Sequence, residues 1–241
     1  VKIYCSTVVE RIPVADPTGG PVELLAADRI QLDRVSTAER VSDVLRTRII
    51  VGDLPPGTRL SEEAIGSALG VSRNTLREAF RLLTHERLLV HELNRGVFVR
   101  TLTKDDVTDL YRLRKVVECG ALRYAEVTEA DLRRVHAVVD EAEAAAARAD
   151  WVAVGTQNLR FHQALCELAG SPRVVDMMRG ILAELRLVFH VMGDPQRFHE
   201  PYIRRNREIL IALAEQGRDR AEQMLAEYLD DAERQLTQAY L

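Results

Sequence analysis

Arg73, Asn74, Arg77 and Arg81 share the segment Ser72 to Leu83 with Leu76, Ala79, Phe80 and Leu83. Those four apolar residues recur at i, i+3, i+4 and i+7, which predicts a helix with one buried stripe and an opposite face of guanidinium and carboxamide groups. The chemistry open to such a face is base recognition. An arginine fork pairs with the O6 and N7 of guanine, and an asparagine carboxamide with the N6 and N7 of adenine. An ordinary solvated helix has the same spacing, so the flanking elements have to decide between the two.

Upstream, Ser61 precedes Glu62 and Glu63 and begins a helix that runs to about Leu69, because a serine cap and first-turn carboxylates suit the positive end of a helix. Gly70-Val71-Ser72 is a tight turn, and Ser72 caps the second helix. Two helices so joined form a helix-turn-helix. Further upstream, Ser36-x-x-Glu39 is a capping box, followed by Val41, Val44, Leu45 and Ile49 at helical spacing until Gly52. Leu54-Pro55-Pro56-Gly57 is a rigid turn, from which Thr58-Arg59-Leu60 leads into the motif. Downstream, Leu88–His91 and Val97–Arg100 read as two strands joined through Leu93 to Gly96, with Gly96 at positive φ. A hairpin in this place is a wing. Arg95 at its tip reads either as a contact to phosphate or the minor groove, or as a solvated turn residue.

The chain has 241 residues, of which 46% are hydrophobic and only 5% aromatic. That is enough for two domains built mainly on helix packing. The net charge of −4 argues against indiscriminate coating of nucleic acid, but it is unevenly spread. Residues 36–100 carry a balance of +2 and residues 101–241 one of −5, so a mildly basic module is attached to an acidic one. Cys5, Cys119 and Cys166 form no C-x-x-C pair, and no segment has the length and apolarity of a membrane span. A reduced, cytoplasmic setting without membrane attachment is expected.

Residues 1–35, with Pro13, Pro17, Gly19, Gly20 and Pro21 and no sustained period, read as an extension that is partly disordered. From Thr103 onward the pattern is helical throughout. Thr103-x-x-Asp106, Thr128-x-x-Asp131, Asp150, Ser171-Pro172 and Asp194 start helices, and Gly170, Gly193 and Gly217 stop them. Six helices of this kind make a bundle. The expected domains are 36–102, a winged helix-turn-helix, and 103–241, an all-α bundle of about six helices, so the fold class is mainly α.

The succession of leading helix, Pro-Pro-Gly turn, LSEEAIGSALGVSRNTLREAFRLL and a wing ending in GVFV resembles the GntR family of winged-helix transcription regulators. The resemblance covers residues 36–100, and Ser72-Arg73-x-x-x-Arg77-Glu78-Ala79 is its most specific part. It implies DNA contacts by Ser72, Arg73, Asn74, Arg77 and the wing Gly96. Glu63 stands where the best-known fatty-acid-responsive member has an arginine, so an operator sequence does not carry over.

The helical half resembles the FadR-type C-terminal domain, an effector-binding and dimerising module. The likeness rests on Leu110-Tyr111-x-Leu113-Arg114-x-x-x-Glu118, Phe161-His162-x-x-Leu165, Ala169-Gly170-Ser171-Pro172-Arg173 and the final helix pair. Many members hold a divalent metal through an Asp-x-x-x-His pair and one His on each of the last two helices. The matching positions here are Asn158, His162, Asn206 and Tyr228. Only one of these is a normal ligand, and with no carboxylate partner the set is too poor in charge to dehydrate a transition metal. The metal site is therefore expected to be lost, leaving no cofactor.

All four positions fall on apolar stripes, so their polar groups need hydrogen bonds to one another, to water or to an effector. Arg114 shares a stripe with Leu110, Leu113, Val117 and Ala121, and reads either as the partner of Glu118 one turn on or as a fork for an effector carboxylate.

The expected function is a sequence-specific DNA-binding transcription regulator. It acts as a repressor and a homodimer on a palindromic double-stranded operator, and a small-molecule effector, a carboxylate if Arg114 holds it, controls it from the bundle. The rival readings are a metal-binding enzyme built on the bundle and a DNA-binding structural protein with no effector. The enzyme reading is disfavoured, because the chain has no H-E-x-x-H, no G-x-G-x-x-G and no phosphate loop.

Overall fold

The computed structural model describes residues 36–190 and 194–240. The expected extension of residues 1–35, with Cys5, and the helix stop at Gly193 lie outside the described residues. Helix α1 (Thr37–Val51) begins on the capping box read from the sequence. The Ser36 hydroxyl accepts from the Glu39 amide, the Glu39 carboxylate accepts from the Ser36 amide, and Gly52 closes the helix at φ 94°. Val41, Leu45 and Ile49 are buried, but Val44 is 46% exposed. The buried face of α1 runs through Ala38, Val41, Ser42, Leu45 and Ile49, and Val44 stands beside it.

Strand β1 (Arg59–Leu60), helices α2 (Glu62–Leu69) and α3 (Arg73–His85), and strands β2 (Leu89–Glu92) and β3 (Gly96–Val99) follow. Ser61 and Ser72 cap α2 and α3 by accepting from the amides of Ala64 and Thr75, and Gly70 turns the chain at φ 64°. Leu76, Ala79, Phe80 and Leu83 are all buried, and α1 packs on α3. Burying the leucine and phenylalanine side chains contributes roughly 1.5–3 kcal/mol each, which fixes α3 by its inner face and leaves the outer one free. The sheet order is β1-β3-β2, antiparallel, with Leu60 opposite Val97 and Val90 opposite Phe98. The hairpin strands are each displaced by one residue from the sequence reading. Arg59–Leu60, read as a lead-in, is a third strand, since two residues carry no detectable period.

The second half contains α4 (Lys104–Arg114), a π turn (Lys115–Cys119), α5 (Gly120–Tyr124), α6 (Glu129–Ala147), α7 (Trp151–Glu167), α8 (Pro172–His190), α9 (Pro195–Glu215) and α10 (Arg218–Gln238). The helix expected to start at Thr103 is thus interrupted by a wider turn. Thr103 with Asp106 and Thr128 with Asp131 form capping boxes, and Asp194 caps α9. Helix α6 lies on α7, α9 on α7 and α10, and α10 on α4. Leu113 is 40% exposed and does not share the Arg114 stripe. The buried row of α4 runs instead through Val107, Tyr111, Arg114 and Glu118.

Helix α8 joins the two halves. It packs on α1, α4 and α7. Arg100, just past β3, donates to Glu184 of α8 at 3.0 Å and to Asp106 of α4 at 2.5 Å, and Arg186 Nε donates to the carbonyl of Ile50 in α1 at 3.1 Å. Cys119 and Cys166 are free thiols, and among the described residues no helix is long and apolar enough to cross a membrane.

Candidate DNA interface and effector site

The exposed side of α3 presents Arg73, Asn74 and Arg77 from its first turns, with the Ser72 cap beside them. The Ser72 hydroxyl is already engaged by the amide of Thr75 at 3.1 Å and its hydroxyl at 2.8 Å. Arg95 is exposed at the wing tip, where it pairs with Glu92 and lies over the Phe98 ring, 5.5 Å from its centroid. Gly96 has φ 112°, a conformation that side-chain-bearing residues rarely adopt, so the turn favours glycine. Glu62, read from the sequence only as a first-turn carboxylate of α2, accepts with both its carboxylate oxygens from Arg77 Nε, at 2.9 and 3.1 Å. That pairing occupies Nε and leaves the two terminal nitrogens for a base or phosphate.

The five candidate effector residues come together in one buried chain of hydrogen bonds. Arg114 Nε donates to Glu118 Oε1 at 2.7 Å, and His162 Nδ1 lies 2.6 Å from Glu118 Oε2. His162 Nε2 lies 3.2 Å from the Tyr228 hydroxyl, which donates to Asn158 Oδ1 at 2.9 Å. Asn206 Nδ2 donates to the same oxygen at 2.9 Å. The Arg114 guanidinium also stacks on Tyr111, 4.7 Å from its centroid. Both sequence alternatives for Arg114 therefore have support in the geometry. Its Nε serves Glu118, while its Nη2 is buried with no partner among the described residues, as is Asn206 Oδ1. The phenol has one proton for two neighbours, so this chain runs one donor short while His162 is neutral.

Glu118 is the link that the sequence showed only as a neighbour of Arg114. It is the carboxylate partner whose absence had been expected near His162, but it does not make the site fit a divalent cation. Arg114 already neutralises it, both imidazole nitrogens are engaged, and the remaining groups are two amides and a phenol. Among the described residues no group of three or more His, Cys, Asp or Glu is placed to hold a metal ion.

Residues 37–99 match the family of bacterial regulatory proteins named gntR, and residues 109–231 match the FCD domain, which alone spans half of the chain. The chain belongs to the GntR family. It shares 50% identity with a transcriptional regulator GntR from Rhodococcus sp. RHA1 whose structure is solved, with a TM-score of 0.79 over 85% of this chain and 99% of that one. It is 26% identical to the HTH-type transcriptional regulator YdhC of Bacillus subtilis (strain 168), covering 78% of this chain and 86% of the relative. It is 25% identical to the HTH-type transcriptional repressor RspR of Escherichia coli (strain K12), covering 80% and 86%. This GntR protein is therefore a transcription regulator with a winged helix-turn-helix and an effector-binding FCD domain, and the reading as an enzyme is set aside.

Electrostatics in the FCD domain follow from burial. Burial alone would raise the Glu118 carboxyl, but the charge of Arg114 and the hydrogen bonds from His162 and Arg114 outweigh it and hold it below the usual range. Burial keeps His162 neutral at ordinary pH against the opposing pull of Glu118, so Nδ1–H donates to the carboxylate. His199 is a second buried histidine, 3% exposed, whose ring packs edge-on against Phe189 and Phe198 with centroids 4.9 Å from each. A Cβ at Gly155 would stand 2.7 Å from its Nε2, so only glycine lets α7 pass this ring. Burial, and then the Arg186 charge, lower the His199 pKa from 6.5 to about 4.

A depressed histidine pKa means that the unfolded chain binds the extra proton first, so stability is complete above about pH 6.5 and falls as pH drops toward 4. The expected loss from His199 is roughly 3 kcal/mol across that window. Urea melts of the His199→Phe variant at pH 7 and pH 4.5 should show a flatter dependence than the parent. An unchanged slope would place the titration elsewhere.

Proposed function

We propose that this regulator binds a palindromic operator as a homodimer, represses transcription in the cytoplasm, and is controlled by a small carboxylate held in the FCD domain. The domain division proposed is 36–102 for DNA and 103–241 for effector and dimerisation. The observation that carries the DNA part is α3. Four buried apolar residues pin its inner face while Arg73, Asn74 and Arg77 stand exposed at its N-terminal end, where they suit base recognition. Ser72, Arg95 and Gly96 suit backbone contacts. One such helix covers only a half-site, and a two-fold pair matches a palindrome. Repression is supported by the printed name of RspR.

The observation that favours an effector is the pair of unmatched atoms in the buried network, a guanidinium donor on Arg114 and a carbonyl acceptor on Asn206. A carboxylate carrying a donor group would complete both, with Asn158, His162 and Tyr228 around it. The test selects operators from random DNA and then titrates candidate carboxylates into the complex. Release by a carboxylate, lost in Asn206→Leu, supports the reading, and selection of no consensus sequence would overturn its DNA half.

Two further outcomes are expected. Glu62 must give up Arg77 before the guanidinium can turn to DNA. The pair is exposed on the arginine side, 65%, so it is worth only a few tenths to 1 kcal/mol. Glu62→Gln should therefore tighten operator binding by roughly two- to fivefold at low salt, as read by fluorescence anisotropy, and weaker binding would mean that Glu62 positions the arginine productively. Zinc, nickel or manganese added to a thermal melt should give no shift of the size linkage predicts for a micromolar site. A stoichiometric metal in tag-free protein would reverse that assignment.

A further inference from the structure

A groove of about 370 Å³ runs between α1 and the α7/α8 pair, apart from the Arg114 network. Its volume falls within the range of small-molecule sites. Ile50, Leu159, Leu182 and Ala183 give it aliphatic walls, and Arg46, Arg160, Arg179, Arg186 and Glu167 supply its charge. Three of the arginines are already matched. Arg46 bonds Glu86 through Nε and Nη2, both at 2.6 Å, and also pairs with Asp43. Arg179 pairs with Asp176 at 2.9 Å, and Arg160 faces Glu141 at 3.8 Å.

Arg186 is different. It is 6% exposed, its Nε donates to the Ile50 carbonyl, and no ion pair joins it to a carboxylate among the described residues. Burial lowers its pKa and no opposing charge restores it. His199 stands beside it, neutral, with its Nδ1 unpartnered among the described residues, and cannot provide the missing negative charge. A desolvated guanidinium without a counter-charge is unfavourable, and a bound anion relieves it.

We propose that this groove is a second ligand site, which takes a monocarboxylate with an apolar body and seats its carboxylate on Arg186. One guanidinium balances one charge, its planar fork matches a planar carboxylate, and the aliphatic walls take the rest of the molecule. The same arginine holds the last turn of α1, the helix on which α3 packs. A ligand here bridges the winged helix to α8 and biases the orientation of one against the other, which is what a coupled site requires.

Isothermal calorimetry on the full chain tests it. Octanoate and phenylbutyrate are expected to bind, and octanamide and inorganic phosphate to bind at least about tenfold more weakly. Arg186→Met should abolish the preference for the acid over the amide, and Arg186→Lys should keep the preference while weakening binding. Ala183→Phe, which fills the groove without removing the charge, should abolish binding of both carboxylates. Asn206→Leu, in the buried network of the proposed effector site, should leave it unchanged. Cooperative melting of each variant checks folding, and if Arg186→Met does not fold the lysine and phenylalanine variants decide. No heat from either carboxylate at millimolar concentration, or equal binding of octanamide or phosphate, would overturn the proposal. So would binding that survives Ala183→Phe but is lost in Asn206→Leu, an outcome that would instead favour the effector site in the bundle.

Discussion

Replacing Glu118 with alanine is expected to destabilise the protein by about 3–5 kcal/mol, because it leaves the Arg114 guanidinium buried without its counter-charge. Arg114 and Glu118 are 1% and 0% exposed, so solvent cannot take over the role of the lost partner. The same change removes the acceptor of His162 Nδ1 and strands a second buried donor. Urea denaturation reads the effect directly. Exchanging both charges for apolar groups of similar size, Arg114→Met with Glu118→Leu, should recover most of the loss, since a buried pair contributes little net stability against a well-packed apolar isostere. A single variant that loses less than about 1 kcal/mol would mean that water reaches the site and that the network is not the sealed unit described.

The second large effect concerns DNA. Arg73→Ala and Arg77→Ala are each expected to lower discrimination between the selected operator and a scrambled one by roughly 1–3 kcal/mol. Arg95→Ala should weaken both complexes about equally and reduce the salt dependence by about one counterion, as loss of a phosphate contact does. Gel shifts over a salt series separate these outcomes. Unchanged affinity and specificity in the Arg77→Ala protein would remove α3 as the recognition helix, whatever the family.

Local rules made much of this molecule legible in advance. Capping boxes at Ser36, Thr103 and Thr128, the glycine stops at Gly52, Gly70 and Gly217, and the α3 stripe all depend on residues within one or two turns of each other. Side-chain period and cap chemistry therefore register them directly. The resemblance to the GntR family rested on the same short-range motifs, and so did the expectation that Arg73, Asn74 and Arg77 face outward.

Other features depend on how finished elements dock, which no period encodes. Glu118 meets His162 from 44 residues away, and Asn158 meets Asn206 from 48. The strand Arg59–Leu60 exists only because β3 offers it an edge. Val44 and Leu113 are apolar and correctly spaced, yet solvent-facing, because a helix buries only the ridge that its neighbour meets. Arg186 carries no mark in the sequence. It becomes a buried cation only when α8 packs against α1 and places it beneath the Ile50 carbonyl, so its lack of a counter-charge among the described residues is a property of the packed tertiary structure.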